Sequence, residues 1–176
     1  MGYTTDFEGH VTVEPPLNGA EIVYLKQFSE TRRMRRINGP YYVDGEGLRG
    51  QAHEDDITDY NNPPDKQPSL WCQWVPTDDG TGIEWNGTEK FYHSEEWMTY
   101  LIDHFLKPGA VASTSGDTQF NHFTFDHVVN GRIDAQGEDP KDRWRLVVKN
   151  NVVGRIEPTV MWPVDEDDEN WEEEES

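Results

Sequence analysis

The chain has one cysteine, Cys72, among 176 residues. A disulfide framework within one chain is thereby excluded, and a cysteine-built zinc site is not expected. Cys72 stands in an apolar run, where an inert buried thiol is expected. No apolar run approaches the length that crosses a bilayer. An N-terminal hydrophobic segment, a twin-arginine signal and a lipidation motif are also missing, so the expectation is a soluble, cytoplasmic protein. The chain lacks a nucleophile elbow, a P-loop, a metal-binding helix motif and a dinucleotide fingerprint. Positive charge is scarce: 15 Lys and Arg stand against 35 Asp and Glu, a formal net charge of −20. Such a chain does not neutralise phosphates, which excludes non-specific binding of duplex nucleic acid. It can instead imitate nucleic acid toward a basic partner, or use the charge for solubility alone.

Apolar residues make up only 34%, but aromatics reach 12%, with seven tryptophans. Folding is therefore favoured over disorder. The aromatics concentrate in Leu70 to Phe105, which reads as strand, turn, strand and amphipathic helix. Leu70 to Val75 is apolar on both faces and lies between Pro68 and Pro76, the pattern of a covered strand. Asp78-Asp79-Gly80 supplies turn chemistry, and Ile83 to Trp85 returns as the partner strand. Ser94 reads as a helix N-cap with Glu95 and Glu96 in the first turn. Trp97, Leu101, His104 and Phe105 form the helix's apolar stripe, and Lys107 with Pro108-Gly109 ends it. Trp71, Trp74 and Trp85, with Tyr92 and Trp97, make either an aromatic pocket or the core of the domain, and core is the stronger reading. Glu84 and His93 are an acid/base pair only if the fold joins them.

Around this stretch the chain is ordered as follows. Residues 7–13 read as a strand. Asn18 is a helix N-cap, and the helix carries Ile22, Leu25 and Phe28 inward and ends in Arg32, Arg33, Arg35 and Arg36. That cluster is a candidate phosphate or RNA patch, or an internal partner for carboxylates. Residues 37–69 are loop-like around a short strand, Tyr41 to Val43, and include His53-Glu54-Asp55-Asp56. Extended neighbours point to opposite faces, so these four cannot all converge on one ion. Residues 110–119 read as a flexible loop. Phe123 to Ile156 reads as an antiparallel meander, with hairpin turns at Asn130-Gly131 and Asn150-Asn151. Its acids and His127 are turn and edge residues in the simplest reading. Residues 165–175 hold nine acids and no base. A disordered acidic tail over 164–176 is expected, with Trp171 as a possible anchor.

Several segments are familiar together: MGYTTDFEG, YLKQFSETRRMRR with GPYYV, DYNNPPDKQPSLWCQWVPTDDGTGIEWNGTEKFY, EEWMTYLIDHFLKPGA and GRIDAQGEDPKDRWRLVVKNNVV. Over about residues 1–153 the chain resembles a family of uncharacterised proteins of bacteriophages and bacteria, actinobacteria among them. The resemblance implies a phage or prophage accessory protein. It brings no activity, substrate or catalytic residue, and it does not extend over the acidic tail.

These readings predict one α+β domain over residues 1–163. Its antiparallel sheet has about five to six strands, with two helices packed on one face in a ferredoxin-like split βαβ arrangement followed by a C-terminal meander. Two small sheets are the alternative. The expected function is that of a non-enzymatic acidic binding protein that engages a basic host or phage protein, in its sharper form as a nucleic-acid mimic. The alternatives are a small hydrolase with His93 or His127 as base, and a virion assembly protein. No cofactor, metal or membrane is expected. The candidate binding residues are Trp71, Trp74, Trp85, Arg32, Arg33, Arg35, Arg36 and Trp171.

Overall fold

Alternation of buried and exposed residues along residues 5–14 places Phe7, Val11 and Val13 on one face and Asp6, Glu8, His10, Thr12 and Glu14 on the other. This period of two is what a sheet with one covered face requires. The computed structural model describes residues 2–43 and 54–159. Strands β1 (Thr5–Glu8) and β2 (His10–Glu14) form one kinked line, bent at Gly9 with φ 100°. They run beside the ten-residue β7 (Val128–Gly137) in one continuous antiparallel register, from Thr5 opposite Gly137 to Glu14 opposite Val128. The main sheet has the order β5-β6-β2-β7-β8-β9, with β5 at Trp74–Pro76, β6 at Gly82–Trp85, β8 at Arg143–Lys149 and β9 at Val152–Ile156. All pairings are antiparallel. Strand β6 therefore lies between β2 and β5, which run in the same direction. Helix α1 (Gly19–Glu30) connects those two strands. Strand β2 likewise separates β6 from β7, and α2 (Ser94–Leu101) lies on that connection. These are two interleaved split βαβ units with the β8-β9 meander added at one edge. A two-stranded sheet pairs β3 (Arg35–Arg36) with β4 (Ile57–Asp59).

Helix α1 begins as its sequence dictates. Asn18 caps it and Glu21 answers from the third position, a complete capping box with both bonds at 2.9 Å. The helix stops at Glu30, short of the arginines, because Thr31 is extended and Arg33 N–H bonds the Leu70 carbonyl at 2.8 Å. The second helix starts differently from the expected Ser94 cap. His93 holds the cap position at φ 60°, and Ser94 is the first helical residue. Past Leu101 the helix widens into a π segment over Ile102–Leu106.

Asn130-Gly131 is not a hairpin turn. It lies inside β7, where Gly131 (φ 136°) faces β2, and a Cβ there would come within 3.0 Å of the Val11 backbone. Glycine is needed for close approach rather than for reversal. The turn at Asn150-Asn151 does form, with φ of 48° and 71° at its two central residues, both left-handed as the tight hairpin demands. Tyr41–Val43 is not a strand. Residues 110–119, expected as flexible loop, contain two short helical turns at Val111–Thr114 and Thr118–Phe120. The tail at 164–176, Trp171 and His53 lie outside the described residues.

Both helices cover the same sheet face, and the core between them is aromatic. Phe7 receives Trp74, Trp85, Phe91 and Trp144 around it, all edge-on, with ring centres 5.2 to 5.9 Å apart. A second cluster joins Tyr24 and Phe28 of α1 to Phe105, Phe120 and Phe123. Edge-on aromatic pairs add about 0.5–1.5 kcal/mol beyond area burial. This compensates for a chain modest in aliphatic residues.

Candidate binding groove

The expected aromatic pocket divides into two parts. Trp74 and Trp97 are core, 1% and 0% exposed. Trp71 and Tyr92 instead line an open groove of about 780 Å³, within the size range of ligand sites. One wall is the end of α1 and its exit, Ser29, Glu30 and Arg32. The opposite wall is the loop after β6, Asn86 and Thr88 to Lys90. Ser69, Leu70, Trp71 and Gln73 form the floor, and Asn61 and Pro63 close the end. Trp85 stands behind the floor. Its Nε1–H donates to Gln73 Oε1 and to the Thr88 carbonyl, both at 3.1 Å.

The floor is fixed from below. Gln73 also donates to the Glu89 carbonyl at 3.3 Å, so its amide ties floor to wall. Ser69 Oγ accepts from Trp97 Nε1–H at 2.7 Å and donates to the Trp71 carbonyl at 3.3 Å. One core indole, Trp97, and one partly buried indole, Trp85, thus anchor the groove through their single polar atoms, a rigid second layer of the kind precise sites need. The groove presents aromatic and aliphatic faces at its base and amides, hydroxyls and two charges of each sign around it. Neither histidine nor cysteine is among the described residues that line it.

The four arginines separate by depth. Arg32 lines the groove and donates to the Tyr60 carbonyl at 3.3 Å. Arg35 is exposed, donating to the Pro63 carbonyl at 3.0 Å and pairing with Asp65 at 3.3 Å. Arg33 is buried, with its guanidinium 4.1 Å from the Phe28 ring centre and one bond to the Tyr42 carbonyl. Burial lowers its pKa to about 10. Arg36 is buried over Tyr42 and 3.6 Å from Asp56. The run is therefore not one cationic surface: two members face outward and two support the fold.

Among the described residues, no histidine lines the groove. His93 pairs with Glu96 at 2.6 Å rather than with Glu84, whose cross-strand neighbour is His10. His127 is 1% exposed. Its Nδ1 meets the Pro15 carbonyl at 2.6 Å and its Nε2 meets the Glu21 carboxylate at 2.7 Å. Burial alone would lower its pKa, but the bonds to Glu21 and Pro15 and the charges of Glu21 and Asp126 outweigh it, and the net shift is upward. Both ring nitrogens face acceptors, an arrangement that favours the doubly protonated ring. His104, which the helix stripe had marked only as core, sits in the π segment. It stacks on Tyr100 at 3.8 Å, and Nδ1 lies 2.6 Å from the Tyr41 hydroxyl. Burial lowers its pKa to about 4. The two rings therefore titrate in opposite directions from the ordinary value near 6.5. Imidazole resonances followed by NMR should show His104 neutral down to about pH 4. For His104 the unfolded chain takes up the proton first, so its contribution disfavours the fold as pH falls below the ordinary histidine range. A His104 midpoint near 6.5 would contradict the burial described.

Among the described residues no three His, Cys, Asp or Glu side chains are placed to hold a metal ion, and no described helix is long and apolar enough to cross a membrane. Glu54–Asp56 form a short helical turn. No family model, curated protein or solved structure matches the chain. Its function is read from its own geometry.

Proposed function

We propose that this is a non-enzymatic binding protein that holds a segment of a basic partner protein in the Trp71 groove. The observation that carries the reading is the groove itself: about 780 Å³, tied to the core by Trp85 and Trp97 and open to solvent. Leu70, Trp71, Pro63 and Tyr92 supply apolar contact for a side chain, and the surrounding amides suit a peptide backbone. The formal charge of −20 favours encounter with a cationic partner over an anionic one. The resemblance to phage proteins supports a phage or prophage accessory role, exercised in the host cytoplasm on a host or phage protein.

The test is capture from host lysate on the immobilised full chain, at about 0.05 M and about 0.5 M salt, either side of the ~10 Å screening length. Wild-type protein should retain a basic protein, more strongly at the lower salt. Trp71→Ala should retain it at least ~5-fold less, since loss of a central aromatic anchor costs more than about 1 kcal/mol. Equal retention by Trp71→Ala and wild type would remove the groove from the interface.

A further inference from the structure

The sheet's uncovered face is divided by charge. Its β1, β2 and β6 half presents Asp6, Glu8, Glu14 and Glu84. Its β7, β8 and β9 half presents Arg132, Arg143, Arg145 and Lys149 with one acid, Asp134. Four of the chain's fifteen cations thus share one surface of a protein with 35 acids. Arg145 is tied to Asp134 at 2.8 Å. Arg132, Arg143 and Lys149 have no ion-pair partner among the described residues. Arg143 and Arg145 are two residues apart on one face, about 6.8 Å along the strand, and Asp134, the acid opposite Arg145, is taken up by it.

The outer margin of this surface is apolar. Val152 and Ile156 of β9 are 71% and 52% exposed, opposite Lys149 and Arg145. Strand β9 has no partner on its outer side among the described residues. Edge strands are commonly guarded by Lys or Pro, and this one is not.

We propose that this chain's own segment 160–175 docks here, its apolar start on Val152 and Ile156 and its acids on Arg132, Arg143 and Lys149. The polarity of the segment matches the polarity of the surface. Val160-Met161-Trp162 and Val164 come first, and nine acids follow over 165–175. The surface reads in the same order from the edge inward, apolar on β9 and basic on β8 and β7. The reach suffices. Asp165, the first acid of the segment, lies nine residues beyond Ile156, and nine residues reach at most about 30 Å. Three neighbouring strands extend across only about 10 Å. Attachment to the same chain gives an effective concentration in the millimolar range, so an anion from outside competes at a disadvantage. The segment then acts as a built-in competitor for the basic half of the sheet, separate from the Trp71 groove.

The experiment uses the full chain with a nitroxide on Ser176→Cys. Cys72 does not interfere: it is 0% exposed and burial pushes its thiol up to about 12. Broadening of amide resonances at about 0.05 M salt should centre on residues 143–149 and 152–156 and be lost at about 0.5 M. It should also be lost in Arg132→Gln/Arg143→Gln/Lys149→Gln and persist in Trp71→Ala. Broadening spread evenly over the surface would overturn the proposal, as would broadening centred on Arg32 and Arg35. Broadening that transfers to an isotope-labelled chain mixed with a nitroxide-labelled unenriched chain would assign the surface to a second copy and equally overturn it. The Trp71→Ala result separates this failure from failure of the groove reading.

Discussion

Replacing His127 with alanine should lower the free energy of unfolding by roughly 3–5 kcal/mol, the usual cost of removing one member of a buried ion pair. The reason is what stays behind. Glu21 is 0% exposed, and one of its oxygens serves the capping box while the other meets His127 at 2.7 Å. Without the imidazolium, a carboxylate remains buried with no counter-charge. For a chain of this length such a loss lowers the melting temperature by about 6–20 °C. The site joins three parts of the fold: the Pro15 carbonyl after β2, the first turn of α1 and the entry to β7. Its loss should therefore appear as cooperative weakening rather than local fraying.

The pair also gives stability a direction in pH. The folded pKa of His127 is raised, so the native state binds its proton more tightly than the unfolded chain. Its contribution is fully present below the unfolded value near 6.5 and is lost as pH rises through the folded pKa. Wild-type protein should lose denaturant resistance across that window while His127→Ala shows a flatter curve. Glu21→Gln is the sharper control. Glutamine keeps the capping-box acceptor, but it removes the charge and turns an amide N–H donor toward His127, which suits only the neutral ring. It should lower stability less than the His127 variant and abolish the same pH dependence. If wild type and Glu21→Gln keep identical pH profiles above the ordinary histidine range, the buried imidazolium is refuted.

The parts of this fold that were legible in the chain are those decided within a few residues. Asn18 and Glu21 satisfy each other across one turn, and Asn150-Asn151 reverse the chain through their own φ values. The order strand, helix, hairpin, helix, meander followed from such signals and led to the correct class of sheet. Residues decided by distant neighbours were illegible. Asn130-Gly131 has the composition of a hairpin turn, but Gly131 exists to admit Val11 from a strand far away in sequence. Leu70 to Val75 is apolar on both faces, so alternation could not tell which indole would be core and which would border a groove. The structure buries Trp74 and leaves Trp71 half-buried. The arginine run looked like one patch because its four cations fall within five residues. Thr31 leaves the helix, and Arg33 and Arg36 then turn inward beneath Arg32 and Arg35. His104 gave no local signal at all, since its neutral state depends on burial against Tyr100 and Tyr41.

Trp97 connects the core to the groove, and its replacement should separate fold from function. The indole is 0% exposed, packs edge-on against Phe28 and Tyr100, and reaches Ser69 through Nε1–H. Trp97→Ala should cost about 3–5 kcal/mol, the sum of lost burial and the cavity left behind. Trp97→Phe keeps much of the ring volume but leaves Ser69 Oγ without its donor, so a loss of about 1–2 kcal/mol is expected, within the range for an unpaired polar group. Ser69 also holds the Trp71 carbonyl. The phenylalanine variant should therefore weaken partner capture by more than its stability loss explains, because the floor is no longer anchored. Trp71→Ala should show the converse, with a stability loss smaller than that of Trp97→Ala because the ring is only half-buried, and capture reduced. Denaturant unfolding and capture, measured on the same three variants, place each indole on one axis or both. Equal capture by wild type and a stably folded Trp97→Phe would show that Ser69 does not hold the groove in its binding form.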